Sequence, residues 1–315
     1  MKHLIVILCE SAPSFCHYSI DKEKTPNLIS LEKLRQAVLF AMKENAIIQF
    51  IYPKYKLPQE YYELINTTRH INITPFISSD DDTIVNLDRN CYPPLESLAD
   101  SNIIIRLGVR ELTLDSDFIK KALSAASRIN LALVFPEKIE DKEIECYSSV
   151  LSEFVKTLVD EYLKGHFVEM NIVTDRAFLP SMNNCNAGID SLTVAPNGDI
   201  FICPGFFYDR MDSIGNISEG YKIRNKHLYE IAYAPICRIC DAFQCKRCIW
   251  KNRNSTLEVN TPSHEQCVLA HIERNASAEF VKQLRKEGFD SSKINDIQIS
   301  DVLDPFYNLP RITLK

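Results

Sequence analysis

The strongest constraint on the fold of this chain is a dense group of cysteines in its second half. Seven of the eleven cysteines are Cys185, Cys203, Cys237, Cys240, Cys245, Cys248 and Cys267. The group contains two Cys-x-x-Cys pairs, and two thiolates on one tight turn can reach a single metal centre. Thiolates suit zinc, copper(I) and iron–sulfur clusters. Because residues 236–266 show no long apolar periodicity, we expect bound metal rather than a hydrophobic core to order them.

The spacing of these cysteines favours iron–sulfur clusters over zinc. Four residues separate the two Cys-x-x-Cys pairs, whereas a zinc ribbon usually has about 15–20 residues there. Seven thiolates cannot fill two all-cysteine tetrahedral sites, and the nearby histidines, His264 and His271, are not obviously paired with them. Two iron–sulfur clusters are therefore the preferred interpretation. Zinc stays open as an alternative, and ordinary buried cysteines are the least favoured one.

Charge and hydropathy exclude several classes of partner. Lys plus Arg total 36 and Asp plus Glu total 42, a net charge of −6, so neither nucleic acid nor an anionic membrane is an expected partner. The apolar run at residues 4–9 is too short for a signal peptide, and no run of about 18 apolar residues predicts a spanning helix. We therefore expect a cytoplasmic location, where thiols stay reduced. No glycine precedes Gly108, which excludes a Gly-rich phosphate loop in the N-terminal part.

The first 180 residues alternate between predicted strands and helices. We predict strands at 4–8, 47–52, 71–74, 102–107, 130–135 and 168–173, and helices at 31–44, 58–65, 117–128 and 142–164. This order implies an α/β fold with a parallel sheet or a partial barrel. Further along, Asn197-Gly198 between two β-rich runs predicts a hairpin. A helix at 276–287 and an extended tail complete the prediction.

The order of the cysteines resembles a known domain. Cys185, then Gly198-x4-Cys203, then the other five cysteines are similar to the SPASM domain of radical SAM peptide-modifying enzymes. In the central cysteine block of this chain, two of the gaps between cysteines are each one residue shorter than in the SPASM domain. The resemblance implies two auxiliary 4Fe-4S clusters. Cluster I would be held by Cys185, Cys203 and Cys248, which leaves one iron without a cysteine. Cluster II would be held by Cys237, Cys240, Cys245 and Cys267.

The resemblance also implies the domain order. Residues 1–180 would form a partial (β/α) barrel of radical SAM type, residues 181–275 the small Cys-rich SPASM domain with its β-hairpin, and residues 276–315 a C-terminal helix and tail. The cluster loop of such a barrel follows the first strand and carries Cys-x3-Cys-x2-Cys. Here these positions read Ala12, Cys16 and Ser19, and one thiolate cannot hold a cuboidal cluster. The second strand also lacks the Gly-Gly-Glu motif, which argues against S-adenosylmethionine (SAM) as a cofactor.

As a whole, the chain is similar to the CXXX repeat peptide maturase family. The similarity lies in LIVIL (4–8), CHY (16–18), FAMKEN (40–45), QFIYP (49–53) and the cysteine block. It implies a role in maturing a small, ribosomally made peptide with regularly spaced cysteines.

Three functional hypotheses follow. In the first, a pseudo radical SAM/SPASM protein with two auxiliary clusters binds or presents a Cys-rich precursor peptide, with a partner maturase as a further candidate partner. In the second, an active SAM-dependent enzyme uses an irregular third cluster at Cys9, Cys16 and Cys91. In the third, the chain is a zinc-stabilised interaction module. Because the SAM motifs are missing, the sequence leaves open whether the protein is an enzyme.

Overall fold

The computed structural model describes residues 1–20, 26–134, 139–179, 185–242, 248–290, 292 and 294–297 of the 315-residue chain. The strands in these residues are β1 (His3–Ile7), β2 (Ile47–Ile51), β3 (His70–Thr74), β4 (Thr83–Leu87), β5 (Asn102–Gly108), β6 (Arg128–Val134), β7 (Glu169–Met170), β8 (Ser191–Val194), β9 (Asp199–Phe201), β10 (Gly215–Asn216) and β11 (Gly220–Tyr221). The helices are α1 (Leu31–Lys43), α2 (Gln59–Ile65), α3 (Val109–Leu123), α4 (Asp141–Leu163), α5 (Asp175–Phe178), α6 (Pro204–Tyr208), α7 (Ile249–Thr256) and α8 (His264–Lys286). Cys245 and most of the predicted C-terminal tail lie outside the described residues.

The chain divides into two compact units, residues 1–106 with 185–230 and residues 107–184 with 231–315. In the first unit the strand order is β11-β10-β9-β8-β1-β2-β3-β4-β5. Strands β8 and β1 to β5 run parallel, and β9, β10 and β11 extend the sheet antiparallel. This arrangement confirms the predicted α/β class with a parallel sheet, while the partial barrel stays a prediction.

Strand β1 lies at the centre of this sheet. It pairs with β2 on one side and β8 on the other, and Leu4 to Ile7 are buried, as expected for a strand covered on both faces. The predicted hairpin is present as β8 and β9, with Gly198 in the left-handed conformation at φ +87°. Because β1 to β5 are parallel, the segments that follow β1, β2 and β4 start from the same edge of the sheet.

The second unit is mainly helical. Helix α4 packs against α3 and α8, and α5 packs against α8. The Tyr162 ring stacks on Phe178 and meets Phe280 edge-on, with centroids 5.7 and 5.2 Å away. Strands β6 and β7 pair in parallel. None of the helices in the described ranges combines the length and apolar character needed to cross a bilayer.

Helix α8 begins twelve residues before its predicted start, at His264 rather than at position 276. The Ser263 side chain accepts a hydrogen bond from the Gln266 backbone N–H at 3.3 Å. Ser263-x-x-Gln266 has the spacing of a capping box, and it follows Pro262. This start places Cys267 within the helix.

Two further boundaries differ from prediction, and strand β4 was not predicted. Helix α3 starts at Val109 rather than 117, because β5 leads into it without a loop. The strand expected at 168–173 shrinks to β7. After β7 the Asn171 backbone N–H still donates to the Ile129 carbonyl at 3.2 Å, and its side-chain amide accepts from the Leu131 N–H and donates to the Leu131 carbonyl, both at 3.0 Å.

A buried ion pair fixes α8 in the second unit. Glu273 accepts a hydrogen bond from Arg176 of α5 at 3.1 Å and another from the Tyr147 hydroxyl of α4 at 2.9 Å. The side chains of Arg176 and Glu273 are 0% and 7% exposed. Burial, with the nearby Glu273 carboxylate as a second cause, holds the pKa of Tyr147 well above its ordinary value. The three groups therefore form one hydrogen-bonded network between helices.

Replacing Glu273 with alanine should lower the free energy of unfolding by about 3–5 kcal/mol, because Arg176 would be left as an uncompensated buried charge. Urea denaturation of both proteins measures the loss. Glu279→Ala is the control on the same helix, since Glu279 pairs with Lys282 at the surface and such a pair contributes about 0–1 kcal/mol. Equal losses in the two variants would contradict the assigned role of the buried pair.

Candidate metal centres

Two predicted ligands of cluster II lie on a tight turn that contacts α8. Cys237 begins a 3-10 turn (Cys237–Ile239), and Cys240 follows it. Cys237 is buried and Cys240 is half-buried. The Cys240 Sγ lies 3.3 Å from Nε2 of His271, a residue of α8. The turn and the helix thus share a polar contact at the side chain of a predicted ligand.

Asp241 and Arg274 strengthen this contact. Cys240, Asp241 and His271 each offer one ligand atom, and the three atoms lie within 4.8 Å of one another. Arg274 donates to Asp241 Oδ1 at 2.5 Å, and the same nitrogen lies 3.5 Å from His271 Nδ1. The side chains of Arg274 and Asp241 are 2% and 8% exposed. A buried ion pair therefore joins the cysteine turn to α8.

The first turns of α7 and α8 carry two more of the predicted ligands. Cys267 precedes His271 by four residues on α8, so the two side chains share one face of the helix. Cys248 is the N-cap of α7, and its Sγ accepts from the Lys251 N–H at 3.5 Å. A buried hydrogen bond of 3.2 Å from Gln266 to Asn252 connects the two helices.

In the first unit, the hairpin brings Cys185 and Cys203 to the same end of β8 and β9. Thr193 pairs with Phe201, so continuing that register sets Cys203 opposite Ser191. The Ser191 hydroxyl donates to the Cys185 carbonyl at 2.8 Å. Cys203 also contributes, after the larger effect of burial, to the raised pKa of Tyr229. Cys248 belongs to the second unit, so ligation of one cluster by all three thiols stays a prediction.

The donor chemistry of the second unit fits a thiolate-bound centre. Three predicted cluster II cysteines, Cys237, Cys240 and Cys267, lie on the turn and on the helix that it contacts, and the fourth, Cys245, is outside the described residues. Thiolate sets of this kind suit a 4Fe-4S cluster or zinc. Asp241 and His271 add oxygen and nitrogen atoms that the resemblance to SPASM domains did not include.

Protein groups, rather than a set of thiols, hold the loop that follows β1. Arg106 of β5 donates from Nε to the Cys16 carbonyl and from Nη2 to the Ser19 hydroxyl, both at 2.9 Å. Asn86 of β4 donates to the Ser14 carbonyl at 3.1 Å. Ala12 is fully buried. Burial lowers the pKa of Arg106, while the nearby Cys16 and Tyr18 act in the opposite direction. Residues 12–19 of this loop do not fit a cuboidal cluster, because Cys16 is the one thiol among them.

The other candidate thiols of the first unit have protein contacts of their own. Cys9 is fully buried, lies 3.1 Å from the Ser11 hydroxyl and accepts from the Tyr55 hydroxyl at 3.3 Å. Burial, and next the hydrogen bond to Cys9, raise the pKa of Tyr55 to about 12. Cys91 is exposed, and its backbone N–H donates to the Asp88 carbonyl at 3.0 Å. A site shared by Cys9, Cys16 and Cys91 stays a prediction.

Tyr18 of the same loop points into a buried aromatic cluster. Its ring stacks on Tyr208 with centroids 5.2 Å apart, and it is 2% exposed. Burial raises the pKa of Tyr18 well above its ordinary value, and Tyr208, Cys16 and Cys203 add to the shift. The interior next to the loop is therefore packed with aromatic side chains.

Asp241 and Arg106 were not predicted as site residues from sequence, and His271 was named as a nearby histidine without being assigned to a site. His271 lies four residues after Cys267, a spacing that indicates a shared helical face once the helix is known to start at His264. Asp241 directly follows Cys240. Arg106 stands as a charge inside an otherwise apolar strand, and such a residue needs a partner. The signals were present, but each depended on a correct element boundary or on a distant contact.

Comparisons with known proteins establish the fold. No protein-family model matches the sequence, and no curated protein gives a significant match. The solved structure of native anSMEcpe with bound AdoMet and Cp18Cys peptide has a TM-score of 0.57 and 14% identity, covering 91% of this chain and 100% of that one. A hexahistidine-tagged form of anSMEcpe with bound AdoMet has a TM-score of 0.55 and 14% identity, covering 90% and 98%. Streptococcus suis SuiB bound to precursor peptide SuiA has a TM-score of 0.35 and 11% identity, covering 82% and 74%.

The first two matches extend over nearly the whole of both chains. anSMEcpe is an anaerobic sulfatase-maturating radical SAM/SPASM enzyme. At 14% identity the likeness shows the fold alone. The chain is therefore a mixed α/β protein with a large parallel sheet, and its fold is similar to that of a radical SAM/SPASM enzyme.

Replacing Arg106 with alanine should release the loop at residues 12–19. A hydrogen bond to a charged group contributes about 1.5–3 kcal/mol, so backbone amides of the loop should exchange with solvent at least about tenfold faster. Hydrogen exchange read by mass spectrometry measures this. Arg35→Ala is the control, since Arg35 is exposed and pairs with Glu32 at 3.7 Å on the surface of α1. Unchanged exchange at 12–19 would show that Arg106 does not hold the loop.

Proposed function

We propose that this chain takes part in maturing a ribosomally made, cysteine-bearing peptide, as a radical SAM-like protein that binds and presents the precursor. The loop after β1 carries the proposal. A SAM-binding cluster needs several thiolates, whereas residues 12–19 of this loop offer Cys16 and are held by Arg106 and Asn86. Its residues therefore do not fit that cluster, and we propose no SAM-dependent step for this chain alone.

The cofactors in this proposal are two auxiliary 4Fe-4S clusters. Cluster II would be held by Cys237, Cys240, Cys245 and Cys267. Cluster I would be held by Cys185, Cys203 and Cys248, and a thiolate of the peptide would suit its remaining iron. When bound, such clusters supply structural cross-links and one-electron transfer.

Two lines support a peptide as the partner. The chain is similar to maturases of peptides with regularly spaced cysteines, and its fold is similar to that of anSMEcpe, which was solved with a bound Cp18Cys peptide. Because the loop after β1 lacks the thiolates for radical generation, we propose that a separate maturase performs the covalent chemistry on the presented peptide.

Metal analysis after anaerobic purification and reconstitution tests the cluster assignment. The wild-type chain should hold about eight irons with matching sulfide. The double variant Cys237→Ala/Cys240→Ala should keep about four, and so should Cys185→Ala/Cys203→Ala, because each removes ligands of one cluster. Cys146→Ala is the control, since Cys146 lies on α4 outside both proposed sets, and it should keep about eight.

Two other results of the metal analysis would contradict this proposal. About twelve irons would mean a third cluster and would support the SAM-dependent enzyme that uses Cys9, Cys16 and Cys91. Stoichiometric zinc with little iron, persisting after reconstitution, would support the zinc-stabilised interaction module.

Peptide binding tests the function itself. A fluorescent synthetic peptide with evenly spaced cysteines should bind the reconstituted chain at least about tenfold more tightly than its serine analogue. The reason is that serine removes the thiolate ligand. A tenfold difference in affinity corresponds to about 1.4 kcal/mol. Fluorescence anisotropy measures both affinities. The Cys185→Ala/Cys203→Ala variant should lose the preference, and Cys146→Ala should keep it. Release of methionine from SAM by the reduced chain alone, or equal binding of the two peptides, would contradict the proposal.

A further inference from the structure

His271 is a buried histidine that the proposed cluster ligands do not include. It is 3% exposed, and its two ring nitrogens face different groups. Nε2 lies 3.3 Å from Cys240 Sγ, and Nδ1 lies 3.5 Å from Arg274 Nη1. His271 is thus in contact with a proposed cluster II thiolate on one side and with a guanidinium on the other.

The guanidinium decides which ring nitrogen carries the proton. Arginine has five N–H donors and no acceptor, so His271 Nδ1 meets Arg274 with its lone pair. A neutral imidazole that accepts at Nδ1 carries its proton at Nε2. Because Nε2 lies against Cys240, the N–H donates to the Cys240 sulfur.

This tautomer disfavours His271 as a metal ligand. A ligating histidine binds metal through one nitrogen and nearly always donates the other N–H to a carboxylate, a carbonyl or water. Here the second nitrogen faces a donor, so binding through Nε2 would leave the ring without an N–H at either position. Arg274 cannot readily turn away, because its Nη1 also donates to the buried Asp241.

We infer that His271 is a positioning residue that donates an N–H···S hydrogen bond to the Cys240 thiolate and thereby raises the reduction potential of cluster II. Hydrogen bonds to cluster sulfur favour the more negative, reduced state, because they stabilise charge on the ligands. Arg274 and Asp241 hold the imidazole in the tautomer that donates. The inference rests on the proposed presence of cluster II.

Redox titration of the reconstituted full-length chain, with dithionite as reductant and electron paramagnetic resonance as readout, tests this role. His271→Phe should keep about eight irons and shift one of the two cluster signals to lower potential. The expected shift is about a tenfold change in the ratio of reduced to oxidised cluster, which is about 59 mV for a one-electron couple. His271→Gln should show a smaller downward shift in potential than His271→Phe, since the glutamine amide can donate to the sulfur. His166→Phe is the matched control, because His166 contacts Glu161 rather than a cysteine.

Pulsed electron paramagnetic resonance on wild-type protein grown with isotopically labelled histidine tests the inference without any variant. A weak nitrogen coupling is expected from a hydrogen-bonded imidazole. A strong nitrogen coupling, as expected from an imidazole that ligates iron, would overturn the inference in favour of ligation. Loss of about four irons in His271→Phe would do the same. Full iron content with an unshifted potential would also overturn it while leaving the proposed function standing. A wild-type chain that holds no iron would refute the proposed function, and this inference with it.

Discussion

The buried pair of Arg176 and Glu273 fixes the helix on which the proposed cluster II depends. Glu273 also accepts from Tyr147, so α8 is joined to both α4 and α5. Nearby on the same helix, His271 and Arg274 contact the turn that carries Cys240 and Asp241. Residues 271 and 274 share a helical face, whereas 273 points elsewhere, because successive residues turn by about 100°. One helix therefore has a face that packs into the helical unit and a face that receives the cysteine turn.

The cysteine turn of the second unit and the loop after β1 differ in what organises them. In the second unit, the cysteine turn has few apolar residues and contacts α8 through polar groups. In the first unit, the loop after β1 is held by Arg106 and Asn86, which lie on neighbouring parallel strands. The Arg106 guanidinium cross-links this loop through two acceptors, the Cys16 carbonyl and the Ser19 hydroxyl. Two side chains of the parallel sheet thus keep this loop ordered.

Local sequence patterns predicted much of this architecture, and long-range contacts account for the rest. The apolar run of β1, helix α1 and the Asn197-Gly198 hairpin could be predicted because each signal lies within a few residues. The capping signal at Ser263 is equally local, and it sets the start of α8 that places His271 on the same helix as Cys267. Arg106 differs in kind, since its partner carbonyl at Cys16 lies 90 positions away. Such pairing depends on strand order, which a single sequence does not specify.

One face of α8 is held by a buried network of protein groups, and the other contacts the cysteine turn. This difference affects the order in which cluster II would form. Arg176, Glu273 and Tyr147 are protein groups, so their network can fold before any metal is bound. Residues 237–242 contact α8 through polar groups, among them the hydrogen bonds of Cys240 and Asp241. Helix α8 can therefore hold Cys267 and His271 in place before the proposed metal centre is assembled. In that order, the His271 N–H is already oriented by Arg274 when it meets the thiolate.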